Sequence, residues 1–426
     1  MPALLKIFAI FGLILFLNRL RLHLGLSLFI GAVALGLWMG LGMVDIGGAI
    51  LTGITSIQTI SLVCVVGLIM VMSKIMEESG QMLRLVKSFS RLSNDDRTVG
   101  VVMSALIGLL PMPGGAVFSA PMVDASLSDK TISGEQKTAL NYWFRHIWEY
   151  WWPLYPGVIL AVAILRVETW RYMAMAAPLT IIAVIAGTIF ILRPMGNQKE
   201  DKPPQKASWQ SIKQFILEMM PILIVIFTII CTAALSAFLR LLGHPLVIPS
   251  LLYIVFGLLA AMAWVGIINH ISLSRFWKAA KRKDILILLL LILAIMVFRE
   301  MMEDSHAVEL IRNELVTYGI PIILIIVVMP FISGLITGIA MGFVGASFPL
   351  IVPMFQTPDM WNYLSYAVLA YTFGYMGMML SPIHVCFLVT KDYFKASLFG
   401  SYPYIIKSAL IVMTFSVTVL SLIIIF

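Results

Sequence analysis

Arg145, His146 and Glu149 stand close together in the stretch Asn141-Tyr142-Trp143-Phe144-Arg145-His146-Ile147-Trp148-Glu149, a few residues before Pro153. Their surroundings are aromatic and apolar, and an ionisable group inside such a segment costs several kcal/mol unless it is paired or wetted. A guanidinium here can hold an anion, while an imidazole or carboxyl beside it can carry a proton. The plainer alternative is that Arg145 and Glu149, four apart on one helix face, neutralise each other. His384, in Ser381-Pro382-Ile383-His384, is either a second proton carrier or a satisfied core histidine. Asp124 reads as an interfacial end residue. Trp143, Trp148, Trp151 and Trp152 read as packing and interface anchors or as a substrate cage. Enzyme and metal signatures are missing: the sequence has no HExxH motif, no pair of membrane aspartates and no Cys or His set at metal-ligand spacing. Cys64, Cys231 and Cys386 lie singly in apolar blocks and argue neither a disulfide framework nor a zinc site.

The elements that must position these groups are broken helices. Pro153 lacks the N–H that would bond the carbonyl of Glu149, Pro156 does the same to Trp152, and Pro382 releases Met378. Backbone left unpaired in hydrocarbon is tolerated only where protein buries it or water reaches it, so the breaks mark a site. Freed carbonyls beside Ser and Thr hydroxyls suit a dehydrated sodium ion, and half-helix N-termini favour carboxylate or phosphate. Two further apolar stretches, 99–126 and 320–355, are interrupted halfway. The first turns at Pro111-Met112-Pro113-Gly114-Gly115 and the second near Thr337-Gly338, Gly342 and Gly345-Ala346-Ser347. Both are expected to be re-entrant hairpins.

Composition sets the medium. Of 426 residues, 61% are AVILMFWYC and 12% are charged, which excludes a soluble fold and predicts an all-α polytopic protein of the lipid bilayer. Ten apolar runs are long enough to cross: 3–17, 24–43, 58–76, 138–165, 172–192, 215–239, 246–268, 285–302, 362–390 and 403–426. The first follows Lys6 but no small-residue cleavage site follows it, so it is expected to be a helix rather than a signal peptide. With the hairpins not crossing, most of the 29 Lys and Arg fall on one side. The formal charge of +8 is then the positive-inside rule at work in a cell inner membrane, and no nucleic-acid partner is needed. Both termini are expected on the outer side.

The chain also matches itself. Met70-Val71 followed by Met76-Glu77-Glu78-Ser79 corresponds to Met296-Val297 followed by Met302-Glu303-Asp304-Ser305, and Ser119, Pro121 and Pro153 correspond in order to Ser347, Pro349 and Pro382. Each half holds an odd number of crossings, so the second must be inverted relative to the first, an architecture associated with secondary transporters. The expected division is 1–196 for the first repeat (hairpin 99–126, broken helix 138–165), a cytoplasmic linker at 197–213, and 214–426 for the second (hairpin 320–355, broken helix 362–390). The acidic amphipathic stretches 77–92 and 303–315 are expected to lie along the two interfaces.

By PMPGGAVFSAPM and SPIHVCFLVTKDYF, and over nearly its whole length, the sequence resembles the ion transporter superfamily. That group holds divalent-anion sodium symporters, gluconate permeases, C4-dicarboxylate carriers and TRAP membrane subunits. The likeness is greatest to an uncharacterised prokaryotic membrane-protein family within it. It implies a scaffold that forms a homodimer and a transport part that slides as an elevator. By position it implies substrate contacts at Gly114, Gly115 and Ser119 on one hairpin and at Thr337, Gly345 and Ser347 on the other. At the broken helices it implies sites near Pro153 to Gly157 and Ser381 to His384; with the residues' own chemistry, the candidate contacts there are Arg145, His146, Glu149, Ser381 and His384, and the breaks at Pro111, Pro113, Pro153, Pro156 and Pro382 are the hinges. Sodium sites would fall near Ser119, Pro153, Ser347 and Ser381. Pro-Gly-Gly and Gly-Ala-Ser stand where sodium-dicarboxylate members carry Ser-Asn-Thr tips.

The function expected is secondary active transport of a small anionic, carboxylate-type solute coupled to Na+ or H+, with no further cofactor. A channel or non-transporting receptor on the same scaffold is the alternative, and an intramembrane enzyme a third reading.

Overall fold

A computed structural model describes residues 2–90, 96–112, 115–127, 132–196, 209–243, 250–319, 321–355 and 357–425. Among these every regular element is a helix. The first half runs α1 (Ala3–Arg19), α2 (Leu24–Met39), α3 (Met43–Thr55), α4 (Ile57–Glu78), α5 (Gln81–Ser90), α6 (Asp96–Ile107), α7 (Ala116–Ser126), α8 (Gly134–Arg145), α9 (Pro156–Leu165), α10 (Thr169–Ala176) and α11 (Pro178–Gly187). The second runs α12 (Trp209–Leu241), α13 (Ser250–Ile268), α14 (Leu273–Ala280), α15 (Lys283–Asp304), α16 (Ala307–Tyr318), α17 (Ile322–Thr337), α18 (Ala340–Ile351), α19 (Met360–Met379), α20 (Val385–Tyr393) and α21 (Leu398–Ile425).

An apolar chain in lipid must satisfy its backbone internally, and helices do so segment by segment. Their starts are written in the sequence: Ser56 accepts from the Thr59 N–H to open α4, Ser133 and Gln136 form a reciprocal cap on α8, and Asp359 caps α19 through the Asn362 N–H. Among the described residues six helices are long and apolar enough to cross a membrane: Ile57–Glu78, Thr169–Met195, Trp209–Leu239, Leu251–Ile268, Lys283–Asp304 and Leu398–Ile423. The protein is a multi-pass helical membrane protein. The remaining expected crossings differ from continuous spans in two ways. α1 and α2 have 17 and 16 residues, about 25 Å of rise, and the two proline-broken spans are each divided into separate helices.

Several expectations change. Two short helices stand between expected spans: α3, whose Gly53 lies against the Val297 backbone, and α14, which carries Arg275 and Lys278. Glu77 and Glu78 end α4, and Glu303 and Asp304 end α15, so the amphipathic helices α5 and α16 begin later than the acidic stretches. The second hairpin turns at Gly338 and Ile339, which places Gly342, Gly345 and Ser347 inside α18 rather than at its tip. α8 starts at Gly134 and ends at Arg145, well before Pro153; Pro156 opens α9 instead of kinking a helix. Pro113, Gly114 and most of the expected linker lie outside the described residues.

α4 and α15 are central, with 67% and 61% of their apolar windows buried, against 17% for α12 at the periphery. α15 packs on α2, α3 and α4; α6 packs on α7 and α8; α17 packs on α19. The halves then interlock. α9 lies against α18, and α20 lies against α7 and α8, so the second piece of each broken span meets the second arm of the other half's hairpin.

Candidate functional site

The site is made where both broken spans stop being helical. After Arg145 the chain turns repeatedly until Pro156, with the His146 N–H bonding Trp143 O and the Tyr155 N–H bonding Trp152 O. The released carbonyls are taken up by the facing helix α19. Tyr375 Oη donates to His146 O at 2.5 Å and Tyr371 Oη to Glu149 O at 3.0 Å, while Thr180 Oγ1 donates to Ile147 O at 2.6 Å. Side chains from the same broken segment cap α6. Trp148 Nε1 donates to Ala105 O and Trp152 Nε1 to Leu109 O, at 2.8 and 2.9 Å, and the Tyr155 hydroxyl donates to Gly108 O. These are among the carbonyls that a helix C-terminus leaves without partners. Trp148 and Trp152 therefore act as anchors for the first hairpin.

The second break is tied to the second hairpin. Ser381 Oγ donates to Leu335 O at 2.8 Å, and His384 Nδ1 bonds Gly338 O, at the turn, at 2.8 Å. Between the two breaks lies a buried ionisable cluster. Arg145 Nη1 donates to Cys386 Sγ at 2.9 Å and its Nη2 to Met112 O at 3.1 Å, while Nε has no partner. Gly115 permits this approach, since a Cβ there would stand 2.3 Å from Nη2. His146 Nδ1 bonds Tyr142 O at 2.6 Å, and its Nε2 lies 3.7 Å from Glu149 Oε1. The His146 and His384 rings meet edge to face, 5.1 Å apart, with Tyr142 against both. His384 Nε2 is buried without a partner.

Two open clefts meet at Arg166, just after α9. One, of about 340 Å³, is lined by Gln58, Ser61, Glu168, Thr232 and Tyr253 among others; the second, of about 420 Å³, by Arg299, Glu303, His306 and Tyr363. Arg166 makes a two-pronged bond to Glu303 at 3.0 and 3.1 Å, and Arg299 bridges Glu303 to Gln58. None of the buried cluster residues lines either cleft.

The family described as "Protein of unknown function (DUF401)" matches residues 1–425. The chain belongs to this family. No curated protein matches the sequence. Among solved structures, the Alcanivorax borkumensis YdaH transporter is 15% identical, with 88% of this chain and 87% of that chain covered and a TM-score of 0.48.

Within this DUF401 chain the fold brings together Arg145, His146, Glu149, Gly115, Ser381 and His384 around one buried centre. Among the described residues no ion pair joins Arg145 to Glu149: the helix ends at Arg145, so the four-residue spacing no longer puts them on one helix face. Pro153 and Pro156 are buried in and after the first break, Pro111 lends its carbonyl to Ser73 of α4, and Pro382 is exposed. Ser119 is buried with an unpartnered hydroxyl. Thr337 and Ser347 spend their hydroxyls on carbonyls four residues back. Gly345 faces away from the cluster, against Ile295 of α15. Sequence reasoning missed Cys386 and the tyrosines 142, 155, 371 and 375. The only available signal was the His384-x-Cys386 spacing, which is common in apolar helices.

Proposed function

We propose that this protein is a secondary active transporter of the ion transporter type, moving a small anionic, carboxylate-type solute by an elevator mechanism coupled to H+ or Na+. One observation carries the reading: a buried ionisable cluster drawn from both broken spans is bonded to both hairpins, through Arg145 to Met112 O and His384 to Gly338 O. Buried charge of this kind is expensive, and it is retained where a substrate or ion pathway uses it. The N-termini of α7, α9, α18 and α20 all open at these breaks, an arrangement that favours an anion. Arg145 is the residue for the solute's charge, with its Nε still free.

Protons are the favoured coupling ion. His146, Glu149 and His384 cluster as carriers, whereas the hydroxyls of Ser347 and Ser381 are already committed to carbonyls that a sodium ion would need. Inverted repeats are supported by element order: α2 to α9 and α13 to α20 follow the same sequence, including the short helices α3 and α14, and the halves exchange contacts through α9 on α18 and α20 on α7. α1, α2, α4, α12, α13 and α15 would form the dimerising scaffold, and α6 to α9 with α17 to α20 the moving part. Residence in the cell inner membrane, with both termini outside, completes the proposal.

The test is thermal unfolding of the detergent-purified protein across a panel of carboxylates and inorganic anions, in Na+ and in K+ at two pH values. A ligand at a hundred times its dissociation constant adds about 2.7 kcal/mol by mass action. A saturable, pH-dependent shift for one anion class, followed by counterflow of that solute in liposomes, is expected; binding without counterflow would turn the reading into a receptor.

A further inference from the structure

Three metal-ligating atoms converge in the buried cluster: one ring nitrogen each of His146 and His384 and the Sγ of Cys386 lie within 4.8 Å of one another. The histidines come from opposite breaks, so the grouping exists only in the folded chain. Each imidazole already has its other nitrogen fixed by a backbone carbonyl, Nδ1 of His146 by Tyr142 O and Nδ1 of His384 by Gly338 O. A carbonyl only accepts, so in the neutral rings both Nδ1 atoms carry the hydrogen and both Nε2 atoms present a lone pair to the common centre. This is how metal-binding histidines are oriented. His384 Nε2 has no protein partner there although the side chain is only 6% exposed.

Glu149 Oε1 stands 3.7 Å from His146 Nε2 but is not one of the three convergent ligands. The edge of a zinc tetrahedron is roughly 3.4 Å for bonds of about 2.1 Å, so the three-atom group needs to close by up to about 1.4 Å through side-chain adjustment. Arg145, donating to Cys386 Sγ at 2.9 Å, offsets the charge of a coordinated thiolate and aims its sulfur. One thiolate and two imidazoles suit a borderline-soft divalent ion.

We propose that His146, His384 and Cys386 form a Zn2+ site that ties the two broken spans together. A bound ion takes His146 and His384 out of proton exchange, so metal binding and proton coupling through these two residues are alternative states, and the test reads metal binding alone. Chelator-treated, detergent-purified full-length protein is titrated with Co2+ and followed by absorption. The expected result is one equivalent bound with a thiolate-to-cobalt charge-transfer band and tetrahedral visible bands, all displaced by Zn2+. Cys386→Ser should lose the charge-transfer band, while the Cys64→Ser/Cys231→Ser double variant keeps it. His384→Gln, which removes one ligand and leaves the sulfur, should weaken Co2+ at least tenfold and serves if the cysteine variant fails to fold. A wild-type titration without the band, a band that survives Cys386→Ser, or an affinity unmoved by His384→Gln overturns the proposal.

Discussion

Arg145, the last residue of α8, donates a hydrogen bond to the sulfur of Cys386 in α20, 2.9 Å away and 241 positions later in the chain. The bond joins the first broken span to the second, and the same guanidinium reaches the first hairpin at Met112 O. A single side chain thus links three of the elements that define the site.

Substituting Arg145→Lys tests that role. A lysine keeps the charge but presents a point donor on a flexible stem, and it cannot hold Cys386 Sγ and Met112 O in one planar fork while leaving Nε for an anion. The variant should fold, with unfolding temperature lowered modestly, and lose the anion-dependent thermal shift. A shift of unchanged size and concentration dependence would remove Arg145 from the solute site.

Glu149→Gln preserves volume and the backbone bond from Tyr371 while removing a proton carrier. Counterflow, which needs no net proton movement, should continue in liposomes, and uptake driven by a pH gradient should fall at least tenfold. Loss of both activities together would assign Glu149 to solute binding instead of coupling.

Tyr371→Phe and Tyr375→Phe each remove the hydroxyl that satisfies a carbonyl of the first break, Glu149 O and His146 O. A buried carbonyl left unpaired costs about 1–3 kcal/mol, so Tyr371→Phe should unfold at lower temperature or lower denaturant concentration than wild type, whereas Tyr375→Phe should cost less because His146 O also accepts the Glu149 N–H at 3.4 Å. Equal stability would mean that water takes over the bond.

Gly108→Ala places a Cβ 1.9 Å from the Arg145 carbonyl oxygen, where backbone would have to move. Overpacking of this kind costs about 1–3 kcal/mol or more. Gly47→Ala in α3 has nothing within 4 Å of the new atom and should be stabilising by about 0.5–1 kcal/mol through helix propensity. Paired unfolding curves in one detergent distinguish a packing effect from a general response to substitution.

Glu135, in the first turn of α8, accepts the Ser397 backbone N–H at 3.1 Å, and that bond holds its carboxyl below the ordinary value of 4.5. A lowered folded-state pKa contributes stability that is present above the unfolded value and is lost as pH falls through the folded one. The stability difference between wild type and Glu135→Gln should therefore be constant near neutrality and shrink only below about pH 4.5. A difference that is independent of pH down to the acid limit of the protein would assign the effect to packing.

Much of the architecture was legible in the chain because the membrane constrains it so tightly. Blocks of Leu, Ile, Val, Met and Phe must become helices, and a run interrupted at Pro111 or Pro382 can stop being helical only where protein or water receives the freed backbone. Hence Arg145, His146, Glu149 and His384 stood out as costly candidates from their types and neighbours, and the structure buries all four. The short helix α3 was not, because it lies between two expected spans and packs through Gly53 on α15, a contact that only the fold supplies.

What the sequence determined is the medium, the breaks and the ionisable inventory, all of which follow from local chemistry and short-range spacing. Partnership was decided by the tertiary structure. Arg145 and Glu149 look like a pair only if the helix continues; it ends at Arg145, and the arginine turns instead to a cysteine 241 positions away. His146, His384 and Cys386 carry no metal-ligand spacing along the chain, yet they share a centre because the two halves interlock at their breaks. Contacts of that separation depend on how whole helices pack, and no local pattern encodes them.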